Sequence, residues 1–463
     1  MRSFIALNAK QVSLKEDWVE HVASLMEKEG ADIWFSKSTE ELLPPGAYCE
    51  VCNSRKFGKE MDILDVWFDS GVSHATVLRE REGLKWPADL YLEGSDQHRG
   101  WFHSSLLTSV AIEGQPPFKA VLTHGFTVDG SGKKMSKSAG NVVAPQEIIR
   151  QYGAEILRLW VAAEDYRDDV RISSHIISQL SEAYRKIRNT CRFLLGNLYD
   201  FDLKKNEIAR DDLSEIDRWA LHRLNLLIKK VRNAYRDYEF HLVFHSINNF
   251  CAVDMSSFYL DILKDRLYTF KNDSKERRAA QWVMCEVVIK LAQIMAPILS
   301  FTAEEIWTHL PEELKSDKSV LLSHFPQANE SDIDPNLSNR WDKLIQIRIE
   351  VAKSLEFARS QKLIGSSLEA AVRLGASGEL LHFLKEAQSD LPMLFIVSQV
   401  EVSESMTQDI KETPFGRLSV EIIGAAGIKC QRCWNYSQRV GEDGEHPFLC
   451  ERCVPVVAAR NTR

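Results

Sequence analysis

Two pairs of cysteines near the C-terminus constrain the fold of this chain more than any other feature. Cys430 and Cys433 form one C-x-x-C pair, and after sixteen intervening residues Cys450 and Cys453 form another. Two such pairs at this spacing match a closed tetrahedral zinc site, in which four thiolates replace the hydrophobic core that so short a segment lacks. Because sulfur fills all four positions, we predict one structural zinc ion and no open position for catalysis.

Length and composition place the chain among soluble, multidomain proteins. Its 463 residues exceed one domain of about 150 residues, and 44% hydrophobic with 27% charged residues is an ordinary globular balance. No apolar run approaches the roughly 18 residues of a membrane span, and the N-terminus lacks the pattern of a secretory signal. We therefore predict a cytoplasmic protein. A net charge of −8 gives no sign of nucleic-acid binding, so any RNA contact must come from local basic patches.

The segment from about residue 61 to 174 alternates short apolar strands with helices, which predicts a parallel α/β sheet. Residues 90–92 read as a buried strand. A helix follows, in which the spacing of Trp101, Leu106 and Ile112 predicts one apolar face. Pro145 and Gly153 have the positions expected of the first residue and the C-cap of a further helix.

Helical periodicity dominates from about residue 175. Leu221, Leu224, Ile228 and Val231 form one apolar stripe, which predicts a helix bundle. Residues 302–305 have the sequence of a capping box and are predicted to open a helix. After a polar linker at 331–338 we expect an amphipathic helix, then strand-like runs at 371–374 and 394–402, which together predict a small α+β module. The fold class is thus α/β followed by mostly α structure.

A Lys-Met-Ser-Lys-Ser sequence at 134–138 follows a predicted strand and a glycine-rich tip. Lys134 and Lys137 on such a loop can close over a polyphosphate. Attack at an α-phosphate develops negative charge on the leaving pyrophosphate, and a preorganised ammonium stabilises that charge more in the transition state than in the ground state. A solvated basic turn is the ordinary alternative for an isolated K-x-x-K, but the preceding strand favours a nucleotide site, because α/β sheets bind ligands at the carboxyl ends of strands.

Residues 61–175 taken together resemble the class I aminoacyl-tRNA synthetases. The sequences at 65–71 (DVWFDSG) and 92–102 (LEGSDQHRGWF) look like the isoleucine-specific type. The resemblance extends over nearly the whole chain from about Leu14, and the first thirteen residues show none of it. It implies ATP-dependent activation of isoleucine, with magnesium accompanying ATP, and transfer to tRNA(Ile) by an enzyme expected to be monomeric.

The same resemblance assigns site residues. It implies that Lys137 contacts ATP, with Lys134 beside it in the catalytic loop. Four residues are implied to line the isoleucyl-adenylate site: Glu93, Gly94, Asp96 and Gln97. The residues themselves agree, since carboxylate and amide groups at a strand end can bind a ribose hydroxyl or an α-ammonium directionally. A plain helix N-cap is the alternative for Asp96.

The resemblance also divides the chain into domains. We expect a remnant of the connective region at 1–60 and the second half of the catalytic nucleotide-binding (Rossmann-like) domain, with the Lys-Met-Ser-Lys-Ser loop, at 61–174. A helical anticodon-binding domain is expected at 175–330, an α+β junction module at 331–425 and the zinc module at 426–463.

Two parts that the resemblance implies have no counterpart in the sequence. None of the thirteen histidines belongs to a His-Ile-Gly-His signature, which binds ATP phosphates, and no editing domain is present. We therefore expect the isolated chain not to form aminoacyl-adenylate and to need a separately encoded N-terminal half. A non-catalytic tRNA-binding fragment is the alternative, and a valine- or leucine-type synthetase is a further one.

Three smaller features leave their interpretation open. Cys49 and Cys52 are half of a metal site, and we predict no zinc there in the isolated chain. Basic and aromatic side chains of the zinc module present either an RNA-binding surface or a solvated rim; they are Arg432, Trp434, Arg439 and Arg452. A basic helical stretch either contacts phosphates or is a solvated face; it comprises Arg185, Lys186, Arg188 and Arg192.

Overall fold

The computed structural model describes residues 3–202, 208–405 and 410–458. The chain forms two compact units, one ending at Phe126 and the other beginning at Thr127. In the described residues no helix is both long enough and apolar enough to span a bilayer.

The first unit combines two small sheets with short helices. Its strands are β1 (Phe4–Ala6), β2 (Gln11–Ser13), β3 (Phe57–Lys59), β4 (Tyr91–Gly94) and β5 (Val121–His124). Its helices are α1 (Glu16–Glu29), α2 (Ile33–Ser36), α3 (Thr39–Leu42), α4 (Val66–Gly71) and α5 (Trp101–Glu113), with a π-helical turn at His74–Leu78 and a 3-10 helix at Ser95–Arg99. One sheet has the antiparallel order β2-β1-β3, and β4 pairs with β5 in parallel.

An aromatic core holds the first sheet against α1 and α2. Phe4 and Trp34 have ring centroids 5.2 Å apart, and Trp18 meets Phe57 edge-on at 5.1 Å. Because large rings bury much apolar area, this small cluster can hold a sheet of three-residue strands.

The pair β4–β5 is covered by α5 on one face. Tyr91 is buried and stacks on Trp101 with centroids 4.3 Å apart. The prediction that Ile112 lies on a buried face of α5 is wrong, because Ile112 is 65% exposed. The helix instead buries the face that carries Phe102, Ser105 and Ser109. Leu92, predicted to lie in a buried strand, is 51% exposed, since successive strand residues point to opposite faces.

The second unit is larger and mainly helical up to residue 360. Its first elements are β6 (Thr127–Asp129), α6 (Pro145–Tyr152), α7 (Ala154–Ala163), β7 (Val170–Ile172), α8 (Ser174–Gly196), α9 (Glu215–Arg236), α10 (Phe240–Asn249), a π-helical segment (Phe250–Tyr259), α11 (Leu260–Thr269), α12 (Lys275–Met295), α13 (Ser300–His309) and α14 (Pro335–Ser360). Single 3-10 turns lie at Arg210–Asp212, Glu312–Leu314, Val320–Leu322 and Glu330–Asp332. As predicted, Pro145 begins α6 and Gly153, with φ of 88°, ends it.

The remainder of the second unit is an α+β region followed by the zinc module. Its elements are a 3-10 turn (Ser367–Glu369), β8 (Ala370–Ala376), α15 (Gly378–Glu386), α16 (Leu391–Phe395), β9 (Gln399–Ser403), β10 (Ile410–Thr413), β11 (Gly416–Gly424), β12 (Ile428–Lys429), β13 (Tyr436–Ser437) and α17 (Val454–Ala458). Strands β6 and β7 pair in parallel, and the four-stranded sheet has the order β10-β11-β8-β9. The predicted strand at 394–402 is wrong in its first half, because α16 begins at Leu391, with Pro392 in its first turn, and Ile396 ends it in the left-handed conformation at φ of 56°.

A continuous core runs from α6 through the bundle to β11. The α9 stripe of Leu221, Leu224, Ile228 and Val231 is buried in it, as predicted. Buried polar groups also lie in this core, among them Asp217, which accepts hydrogen bonds of 2.7 Å from both Arg266 Nη1 and the hydroxyl of Tyr259.

The capping box predicted at 302–305 is wrong. Helix α13 begins at Ser300, so Thr302 lies inside it. The free N–H groups of its first turn are instead satisfied from α7, where the Glu155 carboxylate accepts from Phe301 at 3.3 Å and from Thr302 at 3.1 Å. Glu305 pairs with Arg188 at 2.6 Å. A tertiary contact thus replaces the local cap.

Candidate nucleotide, tRNA and metal sites

The four predicted adenylate residues lie at the carboxyl end of β4. Glu93 and Gly94 end the strand, and Asp96 and Gln97 lie on the 3-10 turn that follows. Gln97 Nε2 donates to the Asp96 carboxylate at 3.1 Å, so the two side chains are adjacent. Glu93 and Asp96 are exposed. Acidic and amide groups are therefore brought together where a parallel sheet binds ligands.

Gln97, and not Asp96, caps the helix that follows. Its Oε1 accepts from the backbone N–H of Trp101, the first residue of α5, at 2.9 Å. Asp96 caps neither the 3-10 turn nor α5, and its carboxylate accepts from Gln97 instead. The sequence analysis missed Gly100. A Cβ at this position would lie 2.8 Å from Gln97 Oε1 and 3.1 Å from the ring of Trp67. A larger residue would therefore displace the Gln97 carboxamide from its hydrogen bond with Trp101.

The Lys-Met-Ser-Lys-Ser sequence forms a loop directly after β6. Lys134 makes an antiparallel bridge with Val128 of that strand, which folds the loop back on it. Met135 is half-buried and packs against the core of the second unit, whereas Lys134 and Lys137 are exposed. The motif therefore alternates an apolar anchor with two ammonium groups that face solvent, where a polyphosphate could reach them.

Two residues that the sequence analysis missed tie the ends of this loop together. Asp129 Oδ2 accepts from Asn141 Nδ2 at 2.8 Å, while Asp129 Oδ1 accepts from the backbone N–H groups of Ser131 and Lys133, both at 2.9 Å. The hydrogen bond from Asn141, together with the others, holds the pKa of Asp129 far below its ordinary value. The sequence did contain a signal for these two residues, an acid and an amide on either side of the loop. Such side chains commonly form hydrogen bonds with nearby backbone groups.

The four C-terminal cysteines converge as predicted. All four sulfurs lie within 4.8 Å of one another, all four residues are buried, and Cys433 Sγ lies 3.6 Å from Cys450 Sγ. A tetrahedral ion with Zn–S bonds of about 2.3 Å needs sulfurs about 3.8 Å apart, so this donor set fits zinc. The pKa of the Cys433 thiol is lowered, chiefly because Cys453 donates a hydrogen bond to its sulfur. Over the described ranges it is the only cluster of three or more metal-ligating side chains.

Two of the four predicted RNA-facing side chains of the zinc module serve another purpose. Arg452 forms a bidentate ion pair with Asp265 of α11, with Nη2 at 2.8 Å from Oδ1. Arg432 donates to the carbonyl oxygen of Thr269 at the end of that helix. These contacts dock the module on the bundle, while the Arg452 side chain stays 41% exposed and both arginines line the groove described next.

All four of these side chains line one groove. The groove has a volume of about 1060 Å³ and lies between α11, α16 and the zinc module. Trp434 is 61% exposed, and Arg439 pairs with Glu442 at 2.8 Å. In the basic stretch of α8, Arg185 pairs with Glu182 at 2.7 Å.

Cys49 and Cys52 have the backbone of a metal-binding knuckle without a complete donor set. Cys49 donates its N–H to Ser54 at 2.9 Å, and its carbonyl accepts from Asn53 at 2.8 Å. Hydrogen bonds from the backbone N–H groups of Cys52 and Val51 lower the pKa of the Cys49 thiol.

Three family models match consecutive parts of the chain. One for tRNA synthetases class I (I, L, M and V) matches residues 1–173, one for the anticodon-binding domain of tRNA ligases matches 217–374, and one for a zinc finger found in FPG and IleRS matches 427–456. The chain belongs to the class I tRNA synthetases. The match from residue 1 shows that the expectation of an unrelated first thirteen residues was wrong.

Within that class the chain matches isoleucine–tRNA ligases. It is 55% identical to that of Syntrophotalea carbinolica over 96% of this chain and 48% of the relative, and 55% identical to that of Geobacter sulfurreducens over 95% and 47%. The ligase of Caldicellulosiruptor saccharolyticus is 51% identical over 99% and 49%. The chain thus spans about half the length of these relatives and corresponds to their C-terminal half.

Among solved structures, a chain of an Agrobacterium radiobacter LeuRS-tRNA-LeuAMS complex aligns with a TM-score of 0.49 and 20% identity. The alignment covers 62% of this chain and 36% of that chain. This likeness is too weak to support an argument.

Proposed function

We propose that the chain supplies the C-terminal half of an isoleucine–tRNA ligase, which joins isoleucine to tRNA(Ile) through an adenylate formed from ATP. The observation that carries the proposal is the loop after β6, in which Met135 is anchored while Lys134 and Lys137 are exposed. The identity of 50 to 55% with isoleucine–tRNA ligases supports the amino acid.

The chemistry assigns a role to each site residue. A carboxylate oxygen of isoleucine attacks the α-phosphorus of ATP, and the bond to pyrophosphate breaks. Lys137, with Lys134 beside it, stabilises the charge that develops on pyrophosphate, and magnesium accompanies the ATP. Glu93, Asp96 and Gln97 bind the α-ammonium and ribose hydroxyls of the adenylate. A terminal ribose hydroxyl of the tRNA then attacks the adenylate carbonyl and releases AMP.

Exposed apolar side chains of the first unit support a requirement for further polypeptide. Twelve of them lie between residues 61 and 121 and are at least 38% exposed, among them Ile63, Trp67, Phe68, Leu92 and Val121. In the described residues, the parallel sheet of this unit consists of β4 and β5. Open strand edges and exposed apolar surface are features that proteins normally cover. The proposed cover is the N-terminal half of the ligase, which would also bring the other phosphate-binding signature.

A second candidate is a non-catalytic tRNA-binding fragment. The groove beside α11 favours it, because it is built wholly within the second unit. Tyr268 and Trp434 on this groove are 59% and 61% exposed, and aromatic rings at a groove can stack unpaired bases.

A mixing experiment separates the two candidates. The purified chain would be combined with the N-terminal half of the Geobacter sulfurreducens ligase, and isoleucylation of tRNA(Ile) would be measured. We expect activity only in the mixture, and Lys137→Ala in the chain should slow adenylation by about 10²- to 10³-fold. Lys133→Ala is the matched control, since the hydrogen bond from Lys133 to Asp129 comes from its backbone N–H and survives the change. Tight tRNA binding without isoleucylation in any mixture would favour the second candidate.

A further inference from the structure

The Lys-Met-Ser-Lys-Ser loop has little packing to define its shape. Of residues 133–140, six are exposed, and only Met135 and Ser136 are half-buried. Long lysine side chains at solvent-exposed positions lose conformational freedom when they are ordered. Met135 is the loop's contact with the hydrophobic core, so further contacts must hold the rest of the loop if its ammonium groups are to be preorganised for a transition state.

Asn141 contacts both arms of the loop at once. Its Oδ1 accepts from the backbone N–H of Ser136 at 2.9 Å, on the outgoing arm. Its Nδ2 donates to Asp129 Oδ2 at 2.8 Å and to the carbonyl oxygen of Lys134 at 3.3 Å, both on the incoming arm. One carboxamide thus bridges segments that are 12 residues apart.

Asp129 completes the connection on the strand side. Its other oxygen accepts from the N–H and hydroxyl of Ser131, at 2.9 and 2.7 Å, and from the N–H of Lys133 at 2.9 Å. With four donors around it, this carboxylate remains ionised, and hydrogen bonds to a charged group are stronger than those between neutral groups. Asp129 therefore fixes the glycine-rich tip and Asn141 together.

We propose that Asn141 and Asp129 are positioning residues, whose side-chain pair holds the loop in the conformation from which Lys134 and Lys137 reach the polyphosphate. This inference rests on the proposed function. It assigns the pair to the transition state of adenylation, so its loss lowers kcat and leaves the KM for isoleucine unchanged.

The two residue types are not interchangeable singly. A carboxylate at position 141 can still accept from Ser136 but cannot donate to Asp129, and it places two anions face to face. A carboxamide at position 129 faces the amide of Asn141 without the charge that strengthens the bond. Exchanging both residues restores a donor and a charged acceptor across the pair and leaves the contact with Ser136 possible. Only the longest contact, to the Lys134 carbonyl, is lost.

The hydrogen-bonded pair of Asn141 and Asp129 is called the clasp. Limited trypsin digestion of the purified chain tests it without an activity measurement, because trypsin cleaves after Lys133, Lys134 and Lys137 of the loop. We expect Asn141→Asp and Asp129→Asn each to raise cleavage in the loop about tenfold, as loss of a charged hydrogen bond predicts. The double exchange should return cleavage to near the original rate. Gln146→Glu, an exposed amide-to-acid change on α6, is the matched control and should have no effect.

Unchanged loop cleavage in both single variants would overturn the proposal. So would a rise in cleavage over the whole chain with a lower melting temperature, since the pair would then stabilise the unit generally.

Pyrophosphate exchange in the mixture with the N-terminal half supplies the second readout. Asn141→Asp should lower kcat about tenfold with the KM for isoleucine unchanged, and the double exchange should recover most of the loss. An unchanged kcat would overturn the positioning role while leaving the proposed function intact. Absence of exchange in every mixture, including the original chain, would count against the proposed function, and the digestion would still decide whether the clasp exists.

Discussion

Two of the three C-x-x-C pairs of this chain, Cys49–Cys52 and Cys430–Cys433, share a backbone geometry and differ in what surrounds them. In each, the first cysteine donates its N–H to the residue five positions on, at 2.9 Å, and its carbonyl accepts from the residue four positions on, at 2.8 Å for Cys49 and 3.0 Å for Cys430. That fourth residue is left-handed in both, with φ of 51° at Asn53 and 66° at Trp434. Within the part of the chain that the structure describes, Cys430 and Cys433 meet two further cysteines, whereas Cys49 and Cys52 do not.

This difference separates the structure that local sequence determines from the structure that needs contacts with distant segments. A C-x-x-C segment folds into half of a metal site by its own turn chemistry, whereas a binding site needs a second segment to supply the other ligands. The two units also differ in how completely their apolar side chains are covered. Leu92 of the first unit is 51% exposed, whereas Leu194 of the second unit is fully buried in a continuous core.

Metal binding is expected to give the largest effect. We predict one zinc ion per chain, and Cys433→Ser should abolish its binding and unfold the zinc module, because apparent binding free energies of about 10–16 kcal/mol are coupled to folding in such sites. Metal analysis of the purified proteins measures this. Cys52→Ser is the matched control and should retain the zinc; a second zinc that this change removes would break the comparison between the two pairs.

The buried ion pair of the second unit is expected to come next. Arg266→Met leaves the Asp217 carboxylate buried without its cation and should lower the free energy of unfolding by about 3–5 kcal/mol. Urea denaturation followed by circular dichroism measures it. The exposed pair of Arg188 and Glu305 is the reference, and Arg188→Met should cost less than about 1 kcal/mol. Equal losses of the free energy of unfolding in the two variants would contradict the burial of the Arg266–Asp217 pair in the second unit.

Two leucine truncations compare the units directly. Leu194→Ala should cost about 2–5 kcal/mol, because it removes packed methyl groups and leaves a cavity. Leu92→Ala should cost less than about 1 kcal/mol in the isolated chain, because its side chain is half in solvent already. In the mixture with the N-terminal half, Leu92→Ala should weaken association. A large loss of stability from Leu92→Ala in the isolated chain would mean that its face is already covered.

The smallest expected effect is on pH dependence. His222 is buried, its Nδ1 accepts from the backbone N–H of Asp334 at 3.0 Å, and burial lowers its pKa. Because the pKa of His222 is lower in the folded chain, the unfolded chain binds a proton there at higher pH than the folded chain does. The folded state is therefore favoured above about pH 6.5, and its stability decreases as the pH falls. His222→Gln should reduce the loss of stability between pH 7.5 and 5.5. An unchanged slope would remove His222 from this role.

The sequence predicted features that depend on neighbours along the chain. The four-cysteine site, the α9 stripe and the boundaries of α6 at Pro145 and Gly153 follow from spacing and backbone preference. The cap of α13 could not be predicted, because Glu155 reaches it from 147 residues away. The same holds for Arg452, whose partner Asp265 is 187 residues distant.

Periodicity also does not reveal which apolar face finds a partner. Helix α5 has apolar residues all round, so the face with Ile112 was as plausible as the face with Phe102 that is buried. At the candidate site, the motif identified Lys134 and Lys137, but Asn141 and Gly100 became visible only through the atoms that they contact.

The central claim is that these residues contain half of a nucleotide site beside a complete zinc module. Isoleucine-dependent exchange of labelled pyrophosphate into ATP tests it most directly, measured for the purified 463-residue chain alone and after mixing with an N-terminal half. The account predicts no exchange by the chain alone and exchange in the mixture that Lys137→Ala reduces. Robust exchange by the chain alone would contradict it.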